Sequence, residues 1–164
     1  MRKVLLVTLI LVTGLAIAAF FGLRWAILSG RAKRQAADAE YRIDRDLRII
    51  YHAEREYYVH HEYFGFVCTF SALTAKPDQL LDEKFATGHA DGYTFAFSAC
   101  KHEENVGFNG NLTYRLTATP DPGSEVPLPT YCVDDDVDSI PRGEYVQDRP
   151  PIVASKPGSS SCTQ

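Results

Sequence analysis

The sequence predicts an α+β fold: one long amino-terminal helix, part membrane-spanning and part amphipathic, packed on a small antiparallel sheet. Three observations carry this. Val4 to Leu23 is twenty residues without a charge, enough at about 1.5 Å per residue to cross a hydrocarbon core of about 30 Å. Beyond it, Ile43, Leu47, Ile50, Tyr57 and Phe64 recur at spacings of three, four and seven, with Ala36, Ala39 and Ala53 on the same side. That is the stripe of a helix burying one face, and Arg42, Asp44, Arg45, Asp46, Arg48, Glu54, Arg55 and Glu56 are expected mostly on the other side. From Gly92 the period changes to two, with Tyr93, Phe95, Phe97 and Ala99 alternating with Thr94, Ala96 and Ser98, as in a half-buried strand.

Taken in order, residues 1–30 read as a transmembrane segment. Arg2 and Lys3 followed by an apolar run and Ala16-Ile17-Ala18 also fit a secretory signal peptide cleaved after Ala18. The run continues through Ala19, Phe20, Phe21, Gly22 and Leu23, and resumes after Arg24 at Trp25-Ala26-Ile27-Leu28. A secretory apolar region is typically about 7–15 residues, so this length favours an uncleaved anchor. Gly14, Ala18 and Gly22 lie four apart on one face, a spacing that lets helices approach closely in lipid. Basic residues flank the run on both sides, so charge does not set its orientation.

Residues 31–148 read as one globular domain. The long helix is expected to end near Tyr63, before Gly65, with a loop to Pro77. A short helix comes next, from Asp78 to Thr87, with Leu80, Leu81 and Phe85 inward. After the first strand, Asn105–Asn111 has turn chemistry. Leu112 to Thr119 is a second strand facing Leu112, Tyr114, Leu116 and Ala118 inward, and Pro129 to Val133 a third. The helix–sheet core is then Ile43, Leu47, Ile50 and Tyr57 against Tyr93, Phe95, Phe97, Tyr114 and Leu116. Residues 149–164 read as a Pro/Ser-rich tail.

The net charge of −4 is unevenly spread. Residues 1–34 hold six basic residues and no acid; the rest hold 11 basic and 21 acidic residues. An acidic domain argues against nucleic acid as a partner. The four cysteines, Cys68, Cys100, Cys132 and Cys162, lack metal-finger spacing and read as two disulfides made outside the cytoplasm. Three connectivities are possible. Cys132–Cys162, which would tie down the tail, is expected, leaving Cys68–Cys100.

Chemistry-bearing groups are few. His52, Glu56, His60 and His61 have permissive helical spacing for a divalent ion but lack HExxH. Asp134, Asp135, Asp136 and Asp138 supply oxygen ligands at short spacing, as calcium sites do, but without the glycine and closing glutamate of an EF-hand. A solvated acidic turn is the simpler reading. Asn111-Leu112-Thr113 fits a glycosylation sequon. No nucleophile arrangement is visible, so no catalytic residue, cofactor or resident metal is expected.

The run Leu47-Arg48-Ile49-Ile50, with Ala53-Glu54 and Tyr57, resembles the end of the long helix in type IV pilins and type II secretion pseudopilins. Gly65-Phe66 with Phe70-Ser71-Ala72-Leu73 is similar to the segment after that helix. Leu80-Leu81-Asp82, Gly88 and Gly92-Tyr93-Thr94-Phe95 resemble the entry into the first strand, and Tyr114-Arg115-Leu116-Thr117-Ala118-Thr119-Pro120 the second. The resemblance covers about residues 40–140. It implies a membrane-anchored structural subunit, a minor pilin or pseudopilin, whose partners are the membrane and other pilin-like subunits or secretion-system proteins, in a homo-oligomer or filament. It also implies a single pass of a bacterial inner membrane, with the carboxy-terminal domain periplasmic or extracellular, and slightly favours calcium at the aspartate cluster. The family's leader and its glutamate at the fifth mature position have no counterpart: Arg2-Lys3 runs into Val4, and the first acid is Asp38. That departure implies an uncleaved anchor, a divergent member or a different chain start. The alternative is a secreted, disulfide-bonded binding domain released by signal peptidase.

Overall fold

The computed structural model describes residues 2–123, 127–136, 152–159 and 162, without the side chains of residues 2–13, Ala16, Glu62 and Asp136. Helix α1 runs from Arg2 to His60. Two compact units divide the chain, residues 1–38 and 39–164. In the first, Leu15, Phe20, Phe21, Leu23, Trp25 and Leu28 are all more than half exposed. Among the described residues, no helix is long and apolar enough to cross a membrane. The side chains of Val4 to Thr13, half of the expected span, lie outside the description.

The second unit is α+β: the later part of α1 packs on a five-stranded antiparallel sheet. The strands are β1 (His89–Ala90), β2 (Tyr93–Asn105), β3 (Phe108–Pro120), β4 (Tyr131–Asp136) and β5 (Val153–Ala154), neighbours in that order. Ile43, Leu47 and Ile50 are fully buried, as are Leu73, Phe85, Leu116 and Val133, with Tyr93, Phe95 and Tyr114 nearly so. Edge-on aromatic pairs bind the layers: Phe66 meets Tyr114 at 4.8 Å between ring centroids and Phe85 meets Phe95 at 5.8 Å. Tyr57 and Phe97, expected inside, are half-buried. Tyr57 stacks on His61 at 4.3 Å, and Phe97 packs on Phe70 at 4.7 Å.

Several expectations need correction. Phe64 is half exposed, because α1 stops at His60 and a 3₁₀ turn, Glu62–Phe64, rotates it off the stripe. The helix expected over Asp78–Thr87 shrinks to a 3₁₀ turn, Glu83–Phe85, since Gln79 at φ 35° lies outside helical space. Asp82 caps that turn, accepting the Lys84 N–H at 2.8 Å. The expected loop before it contains a one-turn helix α2, Phe70–Leu73. The turn between the long strands narrows to Val106-Gly107, because Asn105 already pairs with Phe108. Ala99, expected inside, is exposed: β2 carries a bulge between Ser98 and Lys101 with Ala99 at φ 52°, and the extra residue breaks the alternation.

The aspartate run is strand rather than turn. Asp134, Asp135 and Asp136 pair with Arg115, Tyr114 and Thr113 of β3. The tail also contributes to the sheet, as β5 pairs with β4. It is held further by Thr130, whose N–H donates to Ser155 Oγ at 3.0 Å and whose hydroxyl donates to the Ser159 carbonyl at 2.7 Å. Disulfides join Cys68 to Cys100 and Cys132 to Cys162, with Cα separations of 6.4 and 6.1 Å.

Candidate functional site

The most heavily tethered stretch of the domain is Gly65–Cys68, where the chain leaves α1 and crosses the sheet. Gly65 has φ 64°, and a Cβ there would run into the Asn111 carbonyl. Gly110 is under the same constraint from the other strand, since a Cβ on it would overlap the Phe64 carbonyl. This contact lets Phe66 N–H donate to the Asn111 carbonyl at 3.0 Å while Asn111 Nδ2 donates to the Phe66 carbonyl at 2.8 Å. The Asn111 amide of the possible sequon is thus taken by this bond. The next two backbone N–H groups, of Val67 and Cys68, donate to the two carboxylate oxygens of Glu54, both at 2.9 Å. Cys68 then crosses to Cys100 on β2. Four residues are tied to helix, both long strands and a disulfide.

Glu54 is fully buried. Burial pushes its carboxyl up to about 7 against the pull of the two backbone donors, and the nearby Asp135 charge adds to the rise. Beside it lies a buried ion pair, Arg55 Nε to Asp135 Oδ2 at 3.2 Å, with the guanidinium 5.1 Å over the Tyr51 ring. The Tyr114 hydroxyl has no hydrogen-bond partner among the described residues, and burial, then Asp135 and Glu54, hold its proton on well above the usual phenol range.

A second buried acid, Asp46, meets its charge differently. It faces Arg45 at 3.0 Å and Lys84 at 3.4 Å; both cations also reach Asp91, at 3.1 and 3.4 Å. Burial, then the contact with Asp91, raises the Asp46 carboxyl, while Asp91 is lowered chiefly by the hydrogen bond from Asp46. Arg45 and Lys84 thus each bridge the two acids. This joins α1 to the Glu83–Phe85 turn and to the β1–β2 corner.

Sequence patterning misses these acids. It assigns Asp46, Glu54 and Arg55 to the solvent face, whereas Asp46 and Glu54 are fully buried and Arg55 is nearly so. A signal is nonetheless present. Asp46 is seven residues from Ala39, and Glu54 four from Ile50, so both fall on the stripe itself.

Among the described residues, the expected metal ligands are not brought together. Successive strand residues face opposite ways: Asp134 is exposed and paired in two contacts with Arg115, at 2.6 and 2.8 Å, while Asp135 is buried against Arg55. Two carboxylates on opposite faces cannot converge on one calcium ion. The Asp136 side chain and the whole of Asp138 lie outside the described residues. His61 turns to Tyr57, with Nδ1 3.1 Å from its carbonyl, and to Asp78, leaving His52, Glu56 and His60 on the helix. Among the described residues no three His, Cys, Asp or Glu side chains form a metal-sized group. Among the described residues, Gly14 and Gly22 have nothing within 4 Å of where a Cβ would sit.

The arrangement is one of anchorage: buried charges and a disulfide fix the chain's passage from helix to sheet. No family model, characterised protein or solved structure matches this chain.

Proposed function

We propose that this protein is a membrane-anchored, pilin-like structural subunit, a minor pilin or pseudopilin of a type IV pilus or type II secretion system. It would act by packing its amino-terminal helix against lipid and neighbouring subunits while presenting the acidic domain. One observation carries the reading. Helix α1 runs from Arg2 to His60 and buries Ile43, Leu47 and Ile50 on an antiparallel sheet, while Leu15, Phe20, Phe21, Leu23, Trp25 and Leu28 are exposed among the described residues. A long helix that serves a sheet at one end and is apolar all round at the other suits a protein whose first part has another solvent. Two disulfides support an oxidising, extracytoplasmic setting for the domain.

Membrane fractionation with carbonate extraction, joined to sequencing of the mature amino terminus, tests this. The expected result is a carbonate-resistant chain that retains residues 4–23. A soluble chain beginning at Ala19 overturns it in favour of a secreted domain.

A further inference from the structure

Four cations come after the apolar run: Arg24, Arg31, Lys33 and Arg34. All four are exposed, and none forms an ion pair among the described residues. No acid precedes Asp38. We propose that Arg31, Lys33 and Arg34, with Arg24 snorkelling from within the run, form a collar that selects anionic phospholipid headgroups around the anchor. The proposal rests on the anchored reading above.

Spacing and angle argue for lipid over a protein partner. Leu28, 55% exposed, is the last residue of the apolar stretch. At about 1.5 Å per residue, Arg31 to Arg34 lie about 4.5–9 Å beyond it along the helix. The headgroup layer is about 5–8 Å deep on each side, and charges act over a screening length of about 8 Å. Around the axis, at about 100° per residue, Lys33 stands nearly opposite Arg31, with Arg34 between them on one flank. A protein docking on one face would leave part of this set unused. A headgroup layer surrounds the helix and meets every member, and phosphates supply the anions that this segment lacks. Arg24 has a long apolar stem with which to reach the same layer.

The single tryptophan, Trp25, sits inside the collar and is 75% exposed. The full chain is reconstituted into phosphatidylcholine vesicles containing an equal mole fraction of either brominated phosphatidylglycerol or brominated phosphatidylcholine, and quenching of Trp25 fluorescence is compared. The expected result is a preference for the anionic quencher of about fivefold or more, the worth of one cation near an anionic surface. The combined change Arg24→Gln, Arg31→Gln, Lys33→Gln and Arg34→Gln should bring the preference to about one and leave quenching by brominated phosphatidylcholine intact. Equal quenching by both lipids in the parent chain overturns the collar and leaves the anchor standing. A preference that survives the fourfold change removes it from these residues. Quenching by neither lipid sinks the anchor itself.

Discussion

Residues 15–28 and 39–54 belong to one helix and are both rich in apolar side chains, yet their surroundings are opposite. In the first stretch Leu15 is 71% exposed and Leu23 65%; in the second, Ile43, Leu47 and Ile50 are at 0%. The first stretch is apolar apart from Arg24 and contains no acid. The second has a single apolar stripe, and that stripe includes two acids, each met by its own partners. A stripe packed within one folded domain can hold charges at fixed points because neighbouring segments supply their partners: the Gly65–Cys68 passage for Glu54, Arg45 and the Glu83–Phe85 turn for Asp46. On the anchored reading proposed above, the first stretch would face lipid, which supplies no such partners.

The largest test of this contrast is a charge placed in each stretch. Leu47→Asp puts an unpaired carboxylate among Ile43, Ile50 and the sheet and should unfold the 39–164 domain, at a cost of about 5 kcal/mol or more. Leu23→Asp should leave thermal melting of that domain unchanged and release the chain from carbonate-washed membranes. Melts of the two full-length variants in detergent check both. A Leu47→Asp chain that melts like the parent removes the helix–sheet core.

Next come the buried acids. Glu54→Ala strands the Val67 and Cys68 N–H groups and leaves a cavity, which together should cost about 3–5 kcal/mol in urea unfolding. Asp46→Asn should cost less, about 1–2 kcal/mol, because Arg45 and Lys84 are 48% and 41% exposed and can return to water. Equal losses would mean that the two acids are not held in different ways.

The pH dependence separates them further. Glu54 titrates at about 7 when folded, against an ordinary value of 4.5. Between those values the folded chain holds the extra proton, so stability falls as pH rises through this window. The stabilisation is fully present below about pH 4.5 and lost above about 7, a span of about 3 kcal/mol. His52, pushed down by burial and then by Arg55 and Arg48, works in the opposite direction. In the Asp46–Asp91 pair one acid is raised and the other lowered, so their effects oppose. Unfolding free energies at pH 5 and pH 8 should therefore show a fall that Glu54→Gln removes. A fall of the same size in that variant places the titration elsewhere.

The same contrast explains what is legible in the sequence. Period alone locates the helix stripe, both long strands and the inward residues Tyr93, Phe95, Tyr114 and Leu116, because burial of a face is a repeating requirement. It fails wherever a single residue changes the phase. Ala99 at its bulge, Gln79 at φ 35° and the 3₁₀ turn before Gly65 each reset the pattern once, and a one-time event leaves no period. The buried acids escape for another reason: reading every charge as solvent-facing hides the fact that Asp46 and Glu54 occupy stripe positions. Partners that make those positions tenable lie far along the chain: Val67 and Cys68 are 13 and 14 residues from Glu54, and Lys84 is 38 from Asp46.

The last comparison discriminates by glycine. Gly110→Ala drives a methyl into the Phe64 carbonyl, where two backbone segments are already bridged through Asn111, and should cost about 1–3 kcal/mol. Gly22→Ala meets nothing within 4 Å and adds helix propensity, so domain melting should be unchanged and helicity equal or greater. Circular dichroism melts of the two variants read the difference directly. If Gly110→Ala melts like Gly22→Ala, the close contact of Gly110 with Phe64 and Gly65 is not what locks α1 to the sheet, and the burden passes to the Glu54 bonds and the Cys68–Cys100 disulfide.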